Sequence, residues 1–562
     1  MTAELTSPKG HGAIERGLLE AARITAVTAG SAPSPFSGRF GRLFPQLRAA
    51  AFFDRDLESL ALEMSAVPEE GGATPETELD SEENLGLPAG YTYFGQFIDH
   101  DITLDAVSLS MQQEDLAAID NFRTPALDLD SLYGRGPADQ PYLYQNERFF
   151  WLGDNALRAG AGGPVLTQDL PRFQGRALIG DKRNDENVIV SQLHGVFLKL
   201  HNRIAADQPG WDFDRVRQNV RWHYQWLVLF DYLPRIVGRD LMITLLPHAV
   251  SGGTPASNPP QLRCYHLQPK QFAYMPVEFS GAAYRFGHSM VRPDYRLSSA
   301  DLGDTDGRLD IFRPSSLGEA LNGFRTIPES LGIDWNLFFE TGGRRLADNA
   351  TGRNRIQPAY KIDSSLVSPL SRLPEFSDAE GNPRPPLAVN RLALRNLKRG
   401  MMLLLPSGQA VARELGLPVL ADSDLRIGKA DAEHFGPNPE EPVPCITDGN
   451  RTSMQDSAPL WFYTLAEARY QWEQEATARL AAAGNVSDEQ REAIINGTHT
   501  RLGPVGGRIV AETLIGLVLA DPRSLLNEGQ GFTPLYGGSA RNMFDRFTMG
   551  DLVSLFQAPP GP

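Results

Sequence analysis

Cysteines, basic clusters and long apolar runs are what this sequence has least of. Its 562 residues include only Cys264 and Cys445, with no CxxC pair and no cysteine–histidine spacing. This excludes a disulfide framework and a zinc finger. The 53 basic residues form no run and are outnumbered by 69 acidic ones, which gives a net charge of −16. That balance disfavours a nucleic acid or an anionic membrane surface as a partner.

Targeting and membrane signals are equally scarce. No apolar run reaches the length of a membrane span, and the first residues lack the charged and apolar regions of a signal peptide. The sequence therefore predicts a soluble protein without a membrane span, located in the cytoplasm or exported without a leader.

Strand patterns are few, and amphipathic helices take their place. Residues 191–206 place apolar side chains on one stripe at helical spacing, and helices are also predicted over 57–64, 218–238, 392–405, 461–483 and 508–520. Residues 31–44 have a loop-like composition, and 67–84 are acidic. We predict a mainly α fold, with an N-terminal arm with short helices over residues 1–85 and one large helical domain over 86–562.

The most unusual stretch of that domain is YTYFGQFIDHDITLD, residues 91–105. A helix over 93–100 would project Gln96 and His100 from one face, with Asp99 and Asp101 flanking it. The segment could then offer a base and an amide to one pocket and carboxylates to two others. The alternative is a helix end with solvated acids and one structural histidine.

Oxygen donors are concentrated in RTPALDLDSLYG, residues 123–134. An extended backbone would point the carboxylates of Asp128 and Asp130 the same way, and Thr124 adds a hydroxyl. Carboxylates, hydroxyls and backbone carbonyls are ligands that suit calcium. The alternative is a turn with solvated acids.

Three later segments carry single residues of interest. GDKRNDEN (180–187) contains Arg183, YRFGHSMV (284–291) contains His288, and LALRNLKRGM (392–401) contains Asn396 and Arg399. Taken alone, an arginine among acids is usually a surface ion-pair residue, and a lone histidine is usually a core residue. His194 and His201, on the helix after 187, are also predicted to be core or packing residues without a catalytic role.

Together and in this order, the five segments resemble those of the animal-type haem peroxidase superfamily, also called the peroxidase–cyclooxygenase superfamily. The similarity runs from residues 38–45 to residues 508–519 and so covers most of the chain, which looks like a bacterial member. The resemblance implies haem b, with His288 as the proximal iron ligand and Asn396 orienting its ring. It further implies a distal side with His100 as the acid–base group, assisted by Gln96 and Arg183.

Other haem contacts follow from the same resemblance. Arg285 and Arg399 match arginines that suit the haem propionates, because a guanidinium binds a carboxylate in a bidentate manner. Asp99 and Glu186 stand where the family forms ester links to the haem. Asn187 stands where one branch has a methionine bonded to the haem, so that third link is expected to be absent.

The resemblance also implies a calcium site, with ligands from Asp101, Thr124, the Ala126 carbonyl, Asp128 and Asp130. Asp130 departs from the family, since many relatives have serine there. A third carboxylate should bind a divalent cation no less well. The ion would join the loop to the helix that carries His100 and fix the position of that histidine.

The implied function is a peroxidase. It would reduce hydrogen peroxide to water and oxidise a halide, thiocyanate or small aromatic donor through a ferryl intermediate. A fatty-acid dioxygenase is an alternative, but its radical tyrosine lies three residues before the proximal histidine, where this chain has Arg285. A non-catalytic binding or adhesion protein that keeps the fold is another. The sequence leaves the donor and the oligomeric state open.

Overall fold

The protein is described by a computed structural model that covers most of the chain. The described residues are 36–66, 80–104, 123–251, 253–267, 273–300, 307–312, 320–348, 352–373, 390–436, 439, 443–540 and 542–557. Of the predicted N-terminal arm, residues 1–35 and 67–79 lie outside these ranges, so the predicted boundary at residue 85 stays a prediction.

Helices make up most of the regular structure in these ranges, with 44% helix against 10% strand, which confirms the mainly α prediction. In chain order the α-helices are α1 (Asp54–Glu63), α2 (Gly90–Ile102), α3 (Asp130–Tyr133), α4 (Val188–Asp207), α5 (Phe213–Trp226), α6 (Leu233–Val237), α7 (Arg239–Leu245), α8 (His248–Ser251), α9 (Val277–Ser280), α10 (Leu392–Met402), α11 (Gly408–Glu414), α12 (Leu460–Ala483), α13 (Asp488–Asn496), α14 (Pro504–Ala520) and α15 (Met549–Ser554). No helix of the described residues is long and apolar enough for a bilayer crossing.

The strands are short and pair two by two. They are β1 (Phe36–Gly41), β2 (Glu83–Pro88), β3 (Tyr144–Gln145), β4 (Phe149–Phe150), β5 (Ala156–Arg158), β6 (Val165–Gln168), β7 (Arg172–Phe173), β8 (Arg176–Ala177), β9 (Ala273–Pro276), β10 (Asp294–Arg296), β11 (Arg308–Asp310) and β12 (Pro358–Tyr360). The pairs are β1 with β9, β2 with β12, β3 with β4, β5 with β6, β7 with β8, and β10 with β11. Two-stranded pairs are only marginally stable alone, so these pairs hold loops against the helical core.

The helical spacing of apolar residues locates the main helices correctly. The predicted helix over 191–206 lies within α4, whose first backbone amides are capped by the side chain of Asn187. The prediction of one helix over 218–238 needs a correction, because a π-helical segment, Leu227–Tyr232, separates α5 from α6. All six residues of this segment are buried, and tertiary packing stabilises the wider turn.

The loop prediction for residues 31–44 is wrong in part, because β1 is a strand. It pairs in parallel with β9, and the backbone amides of Leu43 and Phe44 donate to the buried carboxylate of Glu278. Further along, α1 packs against α10. The described part of the arm is therefore attached to the helical core by partners more than 200 residues away.

The helix α2 lies at the centre of the molecule, where it connects two distant parts of the chain. Phe97 stacks on Phe197 of α4 with ring centroids 4.8 Å apart. On another side, the Tyr284 hydroxyl donates to the carbonyl of Gly95 at 3.2 Å. Tyr284 belongs to the 3-10 turn Ala283–His288, so the segments carrying His100 and His288 are in direct contact.

Candidate active site

His100 is a buried base near the end of α2. Its Nδ1 lies 2.8 Å from the side-chain oxygen of Asn184, and 5% of the residue is exposed. Burial, and then the positive charge of Arg183, lower the pKa of His100 to about 4. The imidazole is therefore neutral at pH 7, which is the state that a general base requires.

Gln96 and His100 both lie against the carboxylate of Glu186. The amide of Gln96 donates to that carboxylate, and an oxygen of Glu186 lies 3.6 Å from Nε2 of His100. Asn187 donates to the side-chain oxygen of Gln96 at 3.2 Å. The structure thus brings the side chains of Gln96, His100 and Glu186 together and adds Asn187 to them.

Asp99 points along another face of α2, as predicted from its position next to His100. Its carboxylate accepts a hydrogen bond from the Thr103 hydroxyl at 2.9 Å. Both Asp99 and Glu186 are half-buried, so each keeps accessible carboxylate surface beside the distal histidine. The predicted ester links at these two positions stay predictions.

Arg183, predicted to assist on the distal side, makes its contacts at the end of α2. Its guanidinium donates to the backbone carbonyls of His100 at 2.9 Å and Thr103 at 2.6 Å, and it pairs with Asp181 at 2.8 Å. The last carbonyls of a helix have no partner within the helix and attract a cation. Arg183 therefore fixes the end of α2, and a direct contact with peroxide stays a prediction.

Asn184 is a functional candidate that the sequence reasoning missed, and its partner is His194, which we predicted to be a core residue. The side-chain oxygen of Asn184 faces His100, and its nitrogen lies 3.0 Å from Nδ1 of His194. Both residues are fully buried. GDKRNDEN reads as a surface segment, and the only available signal was that Asn184 lies between Arg183 and Glu186.

His288 has the surroundings of a metal ligand. Burial, followed by the charges of Arg285 and Arg399, lowers the pKa of His288 to about 3, so the ring is neutral. Many protein atoms surround the ring, but part of the residue remains accessible to solvent. A Cβ on the adjacent Gly287 would meet no atom within 4 Å. Within the described residues, Nε2 of His288 has no hydrogen-bond partner. These are features of a side chain that lines an internal cavity.

Asn396 contacts His288 as predicted, but with the other end of its amide. Its nitrogen lies 2.9 Å from Nδ1 of His288, and its oxygen accepts from Arg285 at 3.4 Å. The resemblance to the haem peroxidase superfamily implies the opposite orientation, in which the amide oxygen accepts a hydrogen bond from the ring N–H. Turning the amide by 180° gives that arrangement, which leaves a lone pair on Nε2 for a metal.

The donor set fits a haem. A neutral histidine at the edge of a cavity could hold a haem iron, and Arg285 and Arg399 act on the same ring as nearby cations. Both arginines are half-buried, and guanidinium groups suit propionate carboxylates.

The predicted calcium ligands also converge. The ligand atoms of Asp101, Asp128 and Asp130 lie within 4.8 Å of one another. Asp101 is fully buried and accepts hydrogen bonds from Leu129 N and from the Ser131 hydroxyl. Burial, and then the neighbouring carboxylates, raise the pKa of Asp101, and burial with the charge of Asp130 raises the pKa of Asp128 to about 7. A bound cation would remove this repulsion, so the residues fit calcium.

The other two predicted calcium ligands lie in the same loop. Thr124 donates from its hydroxyl and its backbone N–H to Asp130, each at 3.2 Å. The backbone N–H of Ala126 donates to the Thr124 carbonyl at 2.8 Å. A tight turn therefore surrounds the carboxylates, and ligation by the Ala126 carbonyl stays a prediction.

Comparison with known proteins points to one family for part of the chain. Residues 117–331, less than half of the chain, match the family model described as animal haem peroxidase. The human protein named probable oxidoreductase PXDNL is 28% identical over 162 residues, which are 27% of this chain and 10% of that protein. Mouse thyroid peroxidase is 27% identical over 206 residues, which are 32% of this chain and 20% of that protein. The chain thus spans a fifth or less of the length of these relatives.

The fold extends further than the sequence similarity. Peroxidase A from Dictyostelium discoideum superimposes with a TM-score of 0.52 at 16% sequence identity, covering 93% of both chains. The fold is therefore that of a helical protein of the haem peroxidase type. Together, these matches support the peroxidase–cyclooxygenase superfamily as the family of the chain.

Proposed function

We propose that the protein is a haem peroxidase that reduces hydrogen peroxide and oxidises a halide, thiocyanate or a small aromatic donor. One observation carries the proposal. A neutral, buried histidine with a polar cluster on α2 lies next to the segment with a second neutral histidine, whose Nδ1 contacts Asn396.

The distal residues would handle protons. Nε2 of His100 accepts a proton from one oxygen of hydrogen peroxide and returns it to the other oxygen, which leaves as water. Gln96 lies beside that histidine and would order water or a halide there. The charge of Arg183 acts on His100, and it would favour the negative charge that develops on the departing oxygen.

The proximal residues would hold the cofactor. His288 binds the iron through Nε2, Asn396 fixes the ring, and Arg285 and Arg399 bind the propionates. When bound, the haem supplies the redox chemistry, and the protein supplies ligation, proton handling and access. Calcium at Asp101, Asp128 and Asp130 would hold the loop before α3 against the end of α2.

The experiment is a spectrum of the hemin-reconstituted protein before and after peroxide, followed by turnover with bromide, iodide, thiocyanate and a phenol. We expect a Soret band that changes with peroxide and returns with at least one donor. The variant His288→Ala should lose the band, whereas His266→Ala, at an exposed position, should keep it. A protein that stays colourless after reconstitution would contradict the proposal and would leave a non-catalytic binding protein as the explanation.

The same preparation tests the dioxygenase alternative. Arg285 occupies the position of the radical tyrosine, and the hydroxyl of the nearest tyrosine, Tyr284, already donates to the Gly95 carbonyl. We therefore expect no oxygen uptake with a long-chain fatty acid. Uptake that Tyr284→Phe abolishes would support the dioxygenase instead.

A further inference from the structure

A chain of buried ion pairs connects the carboxylate cluster with the end of α2. Arg123 pairs with Asp130 at 3.1 Å and with Asp181 at 2.6 Å, and Asp181 pairs with Arg183. Although burial alone would raise the pKa of Asp181, the hydrogen bonds and charge of Arg183 and the charge of Arg123 lower it. Asp181 is therefore a full negative charge that holds the two guanidinium groups in place.

Arg123 is fixed more firmly than a surface arginine. Only 8% of the residue is exposed, and the guanidinium also donates to the carbonyl of Gly180 at 3.3 Å. Its contact with Asp130 is made through one carboxylate oxygen, while the other accepts from Thr124. A buried guanidinium at this distance contributes a positive charge to the cluster that solvent screens weakly.

The net negative charge of this cluster would balance the charge of one divalent cation. With all three carboxylates ionised, as the ligands of a cation are, Asp101, Asp128 and Asp130 contribute three negative charges, and Arg123 offsets one of them. The next pairs outward are neutral, because Asp181 is matched by Arg183 and Asp521 by Arg221 at 2.7 Å. Two negative charges remain uncompensated beside the ligand atoms.

We propose that Arg123 is the counter-charge of Asp130 and sets the preference of this site for a divalent cation. The inference rests on the calcium site of the proposed function, but not on haem or peroxidase activity. Where a relative has a neutral serine at position 130, no such arginine is needed to keep two net negative charges. In this chain, Asp130 and Arg123 act as a pair, and each changes the charge of the site by one unit when it is removed alone.

The test is a double-mutant cycle of Arg123→Met and Asp130→Ser, with cation affinity as the readout. Calcium and terbium binding are measured by calorimetry on the full-length protein, with and without added hemin, after dialysis against a chelator. Arg123→Met should bind calcium about tenfold tighter or more and should gain more for terbium, because the Coulomb energy scales with ion charge. Asp130→Ser should weaken calcium binding by a similar factor, and the double variant should return to within about threefold of the parent.

Arg135→Met is the matched control for a lost arginine. Arg135 pairs with Asp139 on a neighbouring exposed loop, so its removal should leave both affinities unchanged. The melting temperature with and without calcium shows whether each variant is folded. If Arg123→Met fails to fold, Arg123→Lys, which keeps the positive charge, should retain the parent's ion preference.

Three outcomes would overturn the inference. Equal ion preference in the parent and Arg123→Met would remove the charge role of Arg123. Calcium binding by Arg123→Met but not by the parent would mean that the guanidinium takes the place of the ion. Absence of binding in all proteins would remove the site itself. Loss of peroxidase activity with the expected order of affinities would instead contradict the proposed function alone.

Discussion

The proton of the His100 imidazole is held at Nδ1 when that nitrogen donates to the Asn184 oxygen, which leaves Nε2 as an acceptor on the open side. Asn184 faces this way because its nitrogen is used by His194. Nε2 of His194 is buried without a hydrogen-bond partner among the described residues. The pair therefore determines the tautomer of the base without touching a substrate.

The first prediction concerns this pair. Asn184→Asp would place a carboxylate against His100 and raise the pKa of the imidazole from about 4. The base must be neutral to work, so the acid limb of kcat/KM for peroxide should move to higher pH, by about one unit or more. Asn202→Asp on α4, where the Asn202 side chain exchanges hydrogen bonds with the Phe150 backbone, should leave the limb in place. An unchanged limb in Asn184→Asp would argue against the assignment.

The second prediction concerns His100 and Arg183. His100→Ala should slow the reaction with peroxide by about two orders of magnitude or more while the Soret band is kept. Arg183→Ala should slow it comparably and, because it removes the partner of two helix-end carbonyls, should also lower the melting temperature. Stopped-flow kinetics and thermal unfolding measure the two effects separately. If either variant cleaves peroxide at the parent's rate, that residue loses its assigned role.

At the scale of elements, a short segment holds the distal residues from outside. The backbone N–H of Gly323 donates to the Glu186 carbonyl at 3.0 Å, and that of Phe324 donates to the Asp185 carbonyl at 2.6 Å. A Cβ on Gly323 would overlap the Asp185 carbonyl, and Phe324 has a left-handed backbone with φ of 55°. The position of Glu186 thus depends on a residue without a side chain.

The third prediction follows from this close approach. Gly323→Ala should lower the free energy of unfolding by about 1–3 kcal/mol and reduce peroxide turnover, because the segment must move away from Glu186. Gly195→Ala in α4, where the nearest atom is 4.0 Å away, should be neutral or slightly stabilising. Denaturant unfolding and turnover of both variants provide the comparison. An unchanged free energy of unfolding in Gly323→Ala would contradict the prediction, because the segment could then move without destabilising the protein.

Local sequence signals predicted some elements and could not predict others. The stripe over 191–206 and the mixture at 93–100 specify α4 and α2, because helical periodicity is a local property. The pairing of β1 with β9 depends on a partner segment far along the chain, and no pattern within 31–44 indicates it. The direction of the Arg183 side chain could not be predicted from local sequence either. Its partners are carbonyls at the end of α2, and these come together with Arg183 only after folding.

At the scale of the whole molecule, the described N-terminal residues stabilise the proximal side. Arg451 pairs with Glu63 of α1 at 2.9 Å, and the backbone N–H of Ala50 donates to the Leu405 carbonyl at 2.9 Å. Since α1 packs on α10, these contacts support the helix that carries Asn396. The prediction of an arm over residues 1–85 understates the attachment of its described part.

The fourth prediction tests this attachment. Deletion of residues 1–66 removes β1 and α1 and should abolish haem binding or lower the melting temperature sharply. Deletion of residues 1–35 removes none of the described contacts and should preserve both. Hemin titration and thermal unfolding of the two truncated proteins measure the difference. Equal haem affinity in both would contradict a supporting role of residues 36–66.

The parallel pairing of β1 with β9 also sets an order of events during synthesis. Residues 36–41 emerge from the ribosome long before residues 273–276, and α1 must wait longer still for α10, so the N-terminal part stays without its partners while most of the chain is made. Nascent chains that end before Asn396 would lack the residue that contacts His288, and cofactor capture would have to follow translation of most of the polypeptide.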